Sequence, residues 1–492
     1  MTSVTTDASP VLGRGRLVAI VFVLVLIEGA GIFEQTMVLG GLPFFAKTFD
    51  VDLAAISWIV TVFTLVGAGS AVLAGRLGDI FGRKQVLIVI LLASLVGSLL
   101  AVFFPTYPML LVGRALQGLS AGIMPLLIGI AREVLPPKRI PSTVALLTAT
   151  ATLTAGIGVM VGAVLIDAGN WHDIFIVAAV ICAVSIILGA TVIPKSLHRA
   201  ADRRVDWLGA VLLAPALAII LFGFTMMRSA GPFSPLVLGS IGVGVVLLIV
   251  WIVWELKIPA PLVNLRALAQ PRLRGVMMSV FIAGLAPLAG AALYGVILAT
   301  TPADMPVGLG LTPTMFGIIS LGGTVVTFAL TPIAGVLAAK FGGASAAATG
   351  AALFMVIFLV FLTPAGHSYA PVAIAAIIAS SVANAFLVSG FYNMVVERIP
   401  AEATSEFVSV QQVVRNMAIA IGTVIISLIL SSSTIDGTTA PTVDAWNSMA
   451  IYCLVVTAIV FVFLIVALVR GKRATAAVEA AGTSDDAMVT QP

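Results

Sequence analysis

Four charges stand inside long apolar stretches of this 492-residue chain: Glu28, Glu34, Arg114 and Arg415. A charge at the centre of a membrane helix costs about 2.5–3.5 kcal/mol on insertion scales, so each requires a partner or a wet cavity. A carboxylate held in this way can take up and release a proton, and burial raises its proton affinity while a neighbouring arginine lowers it. Counted from the nearer ends of their stretches, Glu34 and Arg114 each lie about six residues deep, or roughly 9 Å at 1.5 Å per residue, so they sit at matching depth. By themselves they fit an ion pair that fixes helix packing. Glu28 comes six residues before Glu34, about 120° away around the helix at about 100° per residue, so the two acids need not share one proton. Further along, Gln411, Gln412, Arg415 and Asn416 fall together, with Gln411 and Arg415 on one face by their i,i+4 spacing. With Gln117 beside Arg114, and Asn384, Tyr392 and Asn393 one stretch earlier, they are candidates for lining a substrate cavity or for a structural hydrogen-bond network.

Other chemistries lack their residues. Cys182 and Cys453 lie inside apolar runs, and His172, His198 and His367 are scattered near the ends of runs. No disulfide framework, metal-ligand cluster or nucleophile with its base is spaced for work, so no metal, cofactor or enzymatic reaction is expected. A Walker phosphate loop is absent, so the expected partners are a small molecule, protons and the lipid bilayer rather than ATP or nucleic acid. Gly156-Ile157-Gly158 followed by Gly162 imitates a dinucleotide fingerprint, but it lies within an apolar run with no strand before it.

The elements that must position these residues are membrane helices. Hydrophobic residues make up 60% of the chain and Asp, Glu, Lys and Arg 9%, against about 25% charged residues in a soluble domain. The expected fold is all-α and integral to the membrane, since 46 Gly and 25 Pro suit closely packed, locally broken helices rather than a barrel. Apolar segments fall at 17–42, 54–76, 85–104, 108–131, 141–167, 172–194, 206–227, 235–256, 274–301, 312–339, 344–363, 369–394, 404–432 and 445–470, fourteen in all. If the N-terminus is inside, 21 of the 25 Lys and Arg residues lie in inner segments, Lys47 and Arg228 lie outside, and Arg114 and Arg415 lie within spans. Basic residues accumulate in cytoplasmic loops, so both termini are expected in the cytoplasm and the spans in the cell's inner membrane. Arg14 and Arg16 end the polar tail 1–16, and no cleavage site interrupts the long first run, which reads as an uncleaved span. Pro287 and Pro332 are expected to bend their helices, and the Ala-rich polar tail 471–492 to be disordered.

An internal repeat orders the spans. Ala74-Gly75-Arg76-Leu77 with Phe81-Gly82 returns 260 residues on, from 75 to 335, as Ala334-Gly335-Val336-Leu337 with Phe341-Gly342. That offset sets six-helix bundles at 17–194 and 274–470, with 195–273 between them carrying two extra spans. Two like-oriented bundles with a site between them is a transporter plan. A monomer satisfies it, and the oligomeric state is not specified.

Three motifs carry a resemblance. Gly75-Arg76-Leu77-Gly78-Asp79-Ile80-Phe81-Gly82-Arg83-Lys84 resembles the loop signature of the major facilitator superfamily, Gly-x-Leu-x-Asp-x-x-Gly-Arg-Lys. The resemblance implies an inner latch, in which Asp79 and Arg83, placed by Gly75 and Gly82, meet a helix end and a basic group of the other half. Arg114-Ala115-Leu116-Gln117-Gly118 is similar to the span-4 motif Arg-x-x-Gln-Gly, whose arginine is associated with proton coupling. Glu34-Gln35-Thr36 running to Leu42-Pro43 resembles the fourteen-span drug:proton antiporter branch, which usually has Asp where this chain has Glu34. Trp58, Asp206-Trp207-Leu208-Gly209 and Pro261-Leu262-Val263-Asn264-Leu265 also fit that branch, so the likeness spans about 17–470. It implies multidrug or quaternary-ammonium export with antibiotic resistance. Span 5 departs from the exporter pattern: Gly158-Val159-Met160-Val161-Gly162-Ala163 keeps a small-xxx-small ridge but lacks the proline. Proton-driven efflux by alternating access is thus the leading expectation and a proton-coupled nutrient importer of the same fold the alternative, with a membrane-embedded enzyme or receptor more remote.

Overall fold

The computed structural model describes residues 13–39, 44–45, 48–51, 58–167, 171–195, 206–231, 233–259, 261, 263, 265–311, 313–435 and 440–489. Of the motif residues, Gly40–Pro43, Leu262 and Asn264 lie outside these, as does His198.

Fourteen long helices follow one another: α1 (Arg14–Thr36), α2 (Trp58–Phe81), α3 (Arg83–Phe103), α4 (Tyr107–Val134), α5 (Ile140–Asp167), α6 (His172–Val192), α7 (Trp207–Ala230) and α8 (Pro235–Lys257) in the first part. Then come α9 (Pro271–Thr300), α10 (Pro313–Phe341), α11 (Gly343–Phe361), α12 (Ala370–Val396), α13 (Thr404–Ser431) and α14 (Val443–Val489). Among the described residues no strand occurs beyond an isolated bridge of Thr434 with Pro441. Among the described residues thirteen helices are long and apolar enough to cross a membrane. In α7 the qualifying apolar stretch is shorter, Val211–Phe224, so thirteen of the fourteen expected spans meet that standard among the described residues. Helices prevail because a bilayer offers no partner for an unpaired N–H or C=O, and an α-helix satisfies both within itself.

The tail 471–492 is expected to be disordered, and α14 continues through Val489. Pro287, expected to bend its helix, stands within α9. It sits in a π-helical turn, Gly284–Leu288, that widens α9 by one residue and so absorbs the hydrogen bond proline removes. Pro332 lies inside an uninterrupted α10.

Packing follows the repeat. α1 packs on α5 and α6, α3 on α4 and α6, and α2 on α3 and α4; in the later part α9 packs on α13 and α14, α11 on α12 and α14, and α10 on α12. Between these sets the main seams are α5 with α10 and α2 with α13. α7 and α8 pack chiefly on each other, and α7 also lies against α2 and, less extensively, α13. Both repeated turns reverse the chain in one residue, Gly82 at φ 106° and Gly342 at φ 84°, a left-handed region that glycine enters without steric cost.

Candidate functional site

The candidate residues gather in three places. The first is a cavity of about 520 Å³ bounded by α1, α2, α4, α7 and α13. Glu28 and Gln35 reach it from α1, Thr61 and Thr64 from α2, and Gln412 and Asn416 from α13. Glu28 is the one ionisable residue lining it among the described residues, and it takes no hydrogen bond from any of them. Arg415, on the opposite side of the α2–α13 seam, acts on it electrostatically. The expected α13 face is displaced by one position. Gln412 and Asn416, also i,i+4, line the cavity, whereas Arg415 turns to α12, where its Nη1 donates to the Tyr392 hydroxyl at 3.1 Å and its guanidinium lies 5.5 Å from the ring centre. Gln411 is buried with neither amide atom hydrogen-bonded. Asn384 lies outside the lining, and Asn393 donates to the carbonyl of Ser389 at 2.9 Å.

The second place lies behind α1, away from the cavity. Glu34 is buried; Ser94 Oγ donates to its Oε2 and Cys182 Sγ to its Oε1 at 3.1 Å. Arg114 is at the same depth, as expected, but it does not pair with that carboxylate. Its Nη1 donates to the backbone carbonyl of Glu34 and to Gln117 Oε1, each at 2.7 Å, and its Nε to the carbonyl of Ile59 at 3.1 Å. Gln117 Nε2 continues the chain to Ser98 Oγ at 2.8 Å, and the Arg114 guanidinium lies 4.5 Å from the centre of the Phe63 ring. Arg114 therefore ties α1 and α2 to α4 through main-chain acceptors, a use of the guanidinium's fixed fork that lysine could not reproduce. Glu34 and Gln117 belong to this network and do not line the cavity.

The third place is the turn at Gly82. Asp79 Oδ1 accepts from Arg83 Nε at 2.9 Å and Nη2 at 2.8 Å, while Oδ2 accepts from the backbone N–H of Glu406, in the first turn of α13, at 3.0 Å. A carboxylate at a helix N-terminus meets unpaired amides and the positive end of the helix dipole. Arg83 Nη1 donates to Glu133 Oε1 at 2.8 Å and to the carbonyl of Gly129 at 2.9 Å, and Nη2 to the carbonyl of Ala401. Arg132 adds bonds to the carbonyl of Ile399 at 2.6 Å and to Thr404 Oγ1 at 3.0 Å, and Arg76 pairs with Glu406 at 3.4 Å. Helices of the first part are thereby bound to the α12–α13 connection of the second. Gly75 permits it: a Cβ there would stand 2.6 Å from the carbonyl oxygen of Ser405. Lys84 turns the other way and caps the end of α6, donating to the carbonyl of Ala190 at 2.7 Å.

In span 5 the two glycines face α1. A Cβ on Gly162 would lie 1.9 Å from the Met37 carbonyl oxygen and one on Gly158 2.2 Å from Thr36 Oγ1, so α1 and α5 touch backbone to backbone.

Residues 24–300 and 280–487 match the Major Facilitator Superfamily. The chain belongs to that superfamily. It is a multi-pass membrane protein with the fold of a transporter, and its substrate is not given by the match. Among the curated relatives, this major facilitator is 31% identical over 189 residues to the uncharacterized MFS-type transporter YvkA of Bacillus subtilis, a match spanning 38% of this chain and 43% of that protein. It is 26% identical to the uridine/deoxyuridine transporter of Lactococcus lactis, over 72% of this chain and 74% of that one, and 26% identical to the lincomycin resistance protein LmrB of Bacillus subtilis, over 66% and 67%. Among solved structures, the human organic anion transporter MFSD10 superposes with a TM-score of 0.62 at 14% identity, covering 91% of this chain and 99% of that one. The proton:xylose symporter XylE superposes at 0.60 with 13% identity, over 90% and 95%. These two show the fold alone.

Several members of the three clusters escaped the sequence reading. Ser94 and Ser98, spaced i,i+4 in an otherwise apolar run, were visible as a polar stripe on α3. Cys182 carried no signal, because a buried thiol reads as a small apolar residue. Arg132 and Glu133 looked like ordinary loop charges, and Glu406 like a charge at the end of a span.

Proposed function

We propose that this major facilitator is a fourteen-span drug:proton antiporter, exporting amphipathic small molecules across the cell membrane. The observation that carries the reading is the cavity itself, bordered by both parts of the molecule and lined by apolar side chains with a few polar groups and one carboxylate, Glu28. Glu28 is reached from the cavity and is free of hydrogen bonds, so it can exchange a proton with water there. Glu34 and Arg114 stand behind α1 as a second, enclosed acid and its organising cation.

The cluster of Asp79, Arg83 and Glu133 with the α13 N-terminus acts as the latch of the cytoplasmic side. The basic residues at that end, Arg76, Arg83, Lys84, Arg132, Lys138 and Arg139, support this orientation and with it cytoplasmic termini. The cavity then belongs to an outward-facing conformation. Six helices, a pair α7–α8 and six more helices make the alternating halves at 17–194 and 274–470 with 195–273 between. Breaking the latch opens the inner side, and proton exchange at Glu28 biases the interconversion, because it changes the charge facing Arg415 across the seam.

The test is transport in everted vesicles with an acid interior. Accumulation of a drug from a susceptibility panel, abolished by collapsing the pH gradient, supports export. A second reading, proton-coupled uptake, is favoured by the absence of the proline from α5 and by the likeness to a nucleoside transporter. Accumulation confined to right-side-out vesicles with an acid exterior would replace the first reading with the second.

A further inference from the structure

The helices between the repeated bundles could serve merely as a spacer, yet α7 forms a wall of the cavity. Leu217, Leu221 and Phe224, at i, i+4 and i+7, lie on one face of α7 and line it. On the same side α7 packs closely on α2, with Gly69 against Ala214, where a Cβ would meet the Ala214 Cβ at 2.4 Å. Trp58 at the start of α2 stacks on Phe222, ring centres 5.8 Å apart. Leu213, Leu217 and Trp251 of the α7–α8 pair form one apolar cluster with Val72 of α2, with Val413 and Met417 of α13 packed against it. α7 therefore packs against both α2 and α13 beside the cavity, with α8 on its other side and most of the α8 side chains exposed.

We propose that the Leu217–Leu221–Phe224 face of α7 is an apolar subsite that holds the hydrophobic part of the transported solute, opposite the polar groups on α1 and α13. The inference rests on the amphipathic-substrate reading above and adds where that substrate's apolar bulk lies. The three side chains present a flat surface without a hydrogen-bonding atom, so they reward apolar area and leave polar groups of the solute to Glu28, Gln35, Gln412 and Asn416 across the cavity. Because α7 is fixed mainly on α2, this surface moves with the first half while α13 slides past it, and the solute's apolar contact changes as the halves rock.

Single cysteines at Leu221 and Phe224 test the placement without knowledge of the natural solute. The two native thiols are buried and give little background. In unsealed membranes, a cationic methanethiosulfonate reagent should label Leu221→Cys and Phe224→Cys at rates within about tenfold of Thr64→Cys on α2. Val211→Cys on α7 and Val246→Cys on α8, both on the outward face, should react far more slowly, since a thiol in hydrocarbon does not ionise. Equal, slow labelling of α7 and control positions beside a reactive Thr64→Cys would overturn the proposal. Ethidium is the probe for the subsite: at saturation it should slow labelling of Phe224→Cys at least fivefold. Protection of Thr64→Cys without protection of Phe224→Cys would also overturn it. If ethidium protects neither although both react, the amphipathic-substrate reading fails instead, and with it the subsite, while α7 remains a wall of the cavity. An unreactive Thr64→Cys would show the cavity is not water-filled and remove both.

Discussion

Glu28 and Glu34 have the same side chain six residues apart, and their surroundings differ. Glu28 faces the cavity with no hydrogen bond, whereas both carboxylate oxygens of Glu34 accept bonds from Ser94 and Cys182. Under the antiport hypothesis Glu28→Gln is expected to lower uphill, pH-driven accumulation at least tenfold while downhill exchange continues, since the amide keeps the size and cannot cycle a proton. Glu34→Gln is expected to retain a measurable part of it. Accumulation should be compared for both variants and the double mutant; full activity in Glu28→Gln with loss in Glu34→Gln would move the coupling role behind α1. Arg114→Ala is a different experiment. It removes charged hydrogen bonds to the carbonyls of Glu34 and Ile59 and to Gln117, worth about 1.5–3 kcal/mol each, so the thermal midpoint of the purified protein should fall along with transport, and Arg114→Lys should not restore it. Normal stability with normal transport in Arg114→Ala would dismiss the guanidinium as an organiser. The height of these residues could be read from sequence because the rise per residue is constant. Their direction could not, because apolar side chains cover the lipid face and the packed face alike, leaving nothing to distinguish the side of α1 that faces the cavity.

Among elements, α1 and α5 show how much of the architecture rests on single atoms. Gly162→Ala would drive a Cβ into the Met37 carbonyl, a backbone atom that cannot swing aside. We expect overpacking of about 1–3 kcal/mol, seen as a lower thermal midpoint, with Gly158→Ala milder because its neighbour is the rotatable Thr36 hydroxyl. Unchanged stability of Gly162→Ala would mean that α1 and α5 stand further apart than described. The glycine ridge was visible as a pattern, although its partner was not, since a small-xxx-small motif states that something approaches closely without saying what. The turn at Gly82 was the most legible element. Its glycine, its acid and its basic pair are all local, and the residues that complete it, Glu133 and the amide of Glu406, lie 50 and more than 300 positions away.

For the whole molecule, the proposed latch role of the charged cluster at that turn has a measurable consequence. Asp79→Asn weakens the charged hydrogen bond to the Glu406 amide, the one Asp79 contact that crosses between the halves, worth up to about 3 kcal/mol; its pair with Arg83 lies within the first half and does not distinguish the conformations. At about 1.4 kcal/mol per factor of ten, the closed conformation should lose up to roughly a hundredfold in weight while insertion is unaffected, because the basic residues remain. Cross-linking of cysteines placed across the α2–α13 seam would report the shift, and an unchanged yield in a normally expressed Asp79→Asn would leave Asp79 a topological bystander. The second repeat offers no compensation: Ala339 and Gly343 stand where the first has Asp79 and Arg83. The two-part plan was read from that repeat, whose turns both place a glycine at positive φ. The place of α7 beside the cavity was not, since a pair of apolar helices can lie anywhere around a bundle without changing its sequence pattern.

The siting of the two acids on opposite sides of α1 also bears on leakage. A device driven by an ion gradient works only if the ion cannot cross by itself, and two carboxylates within one continuous file of water would form a short circuit. Here the helix backbone is the insulator. Glu28 lines the cavity, whereas Glu34 is outside that lining and held by Ser94 and Cys182 beside the Arg114 network. Under the antiport hypothesis, current through the protein would then be limited to what a moving helix can hand across.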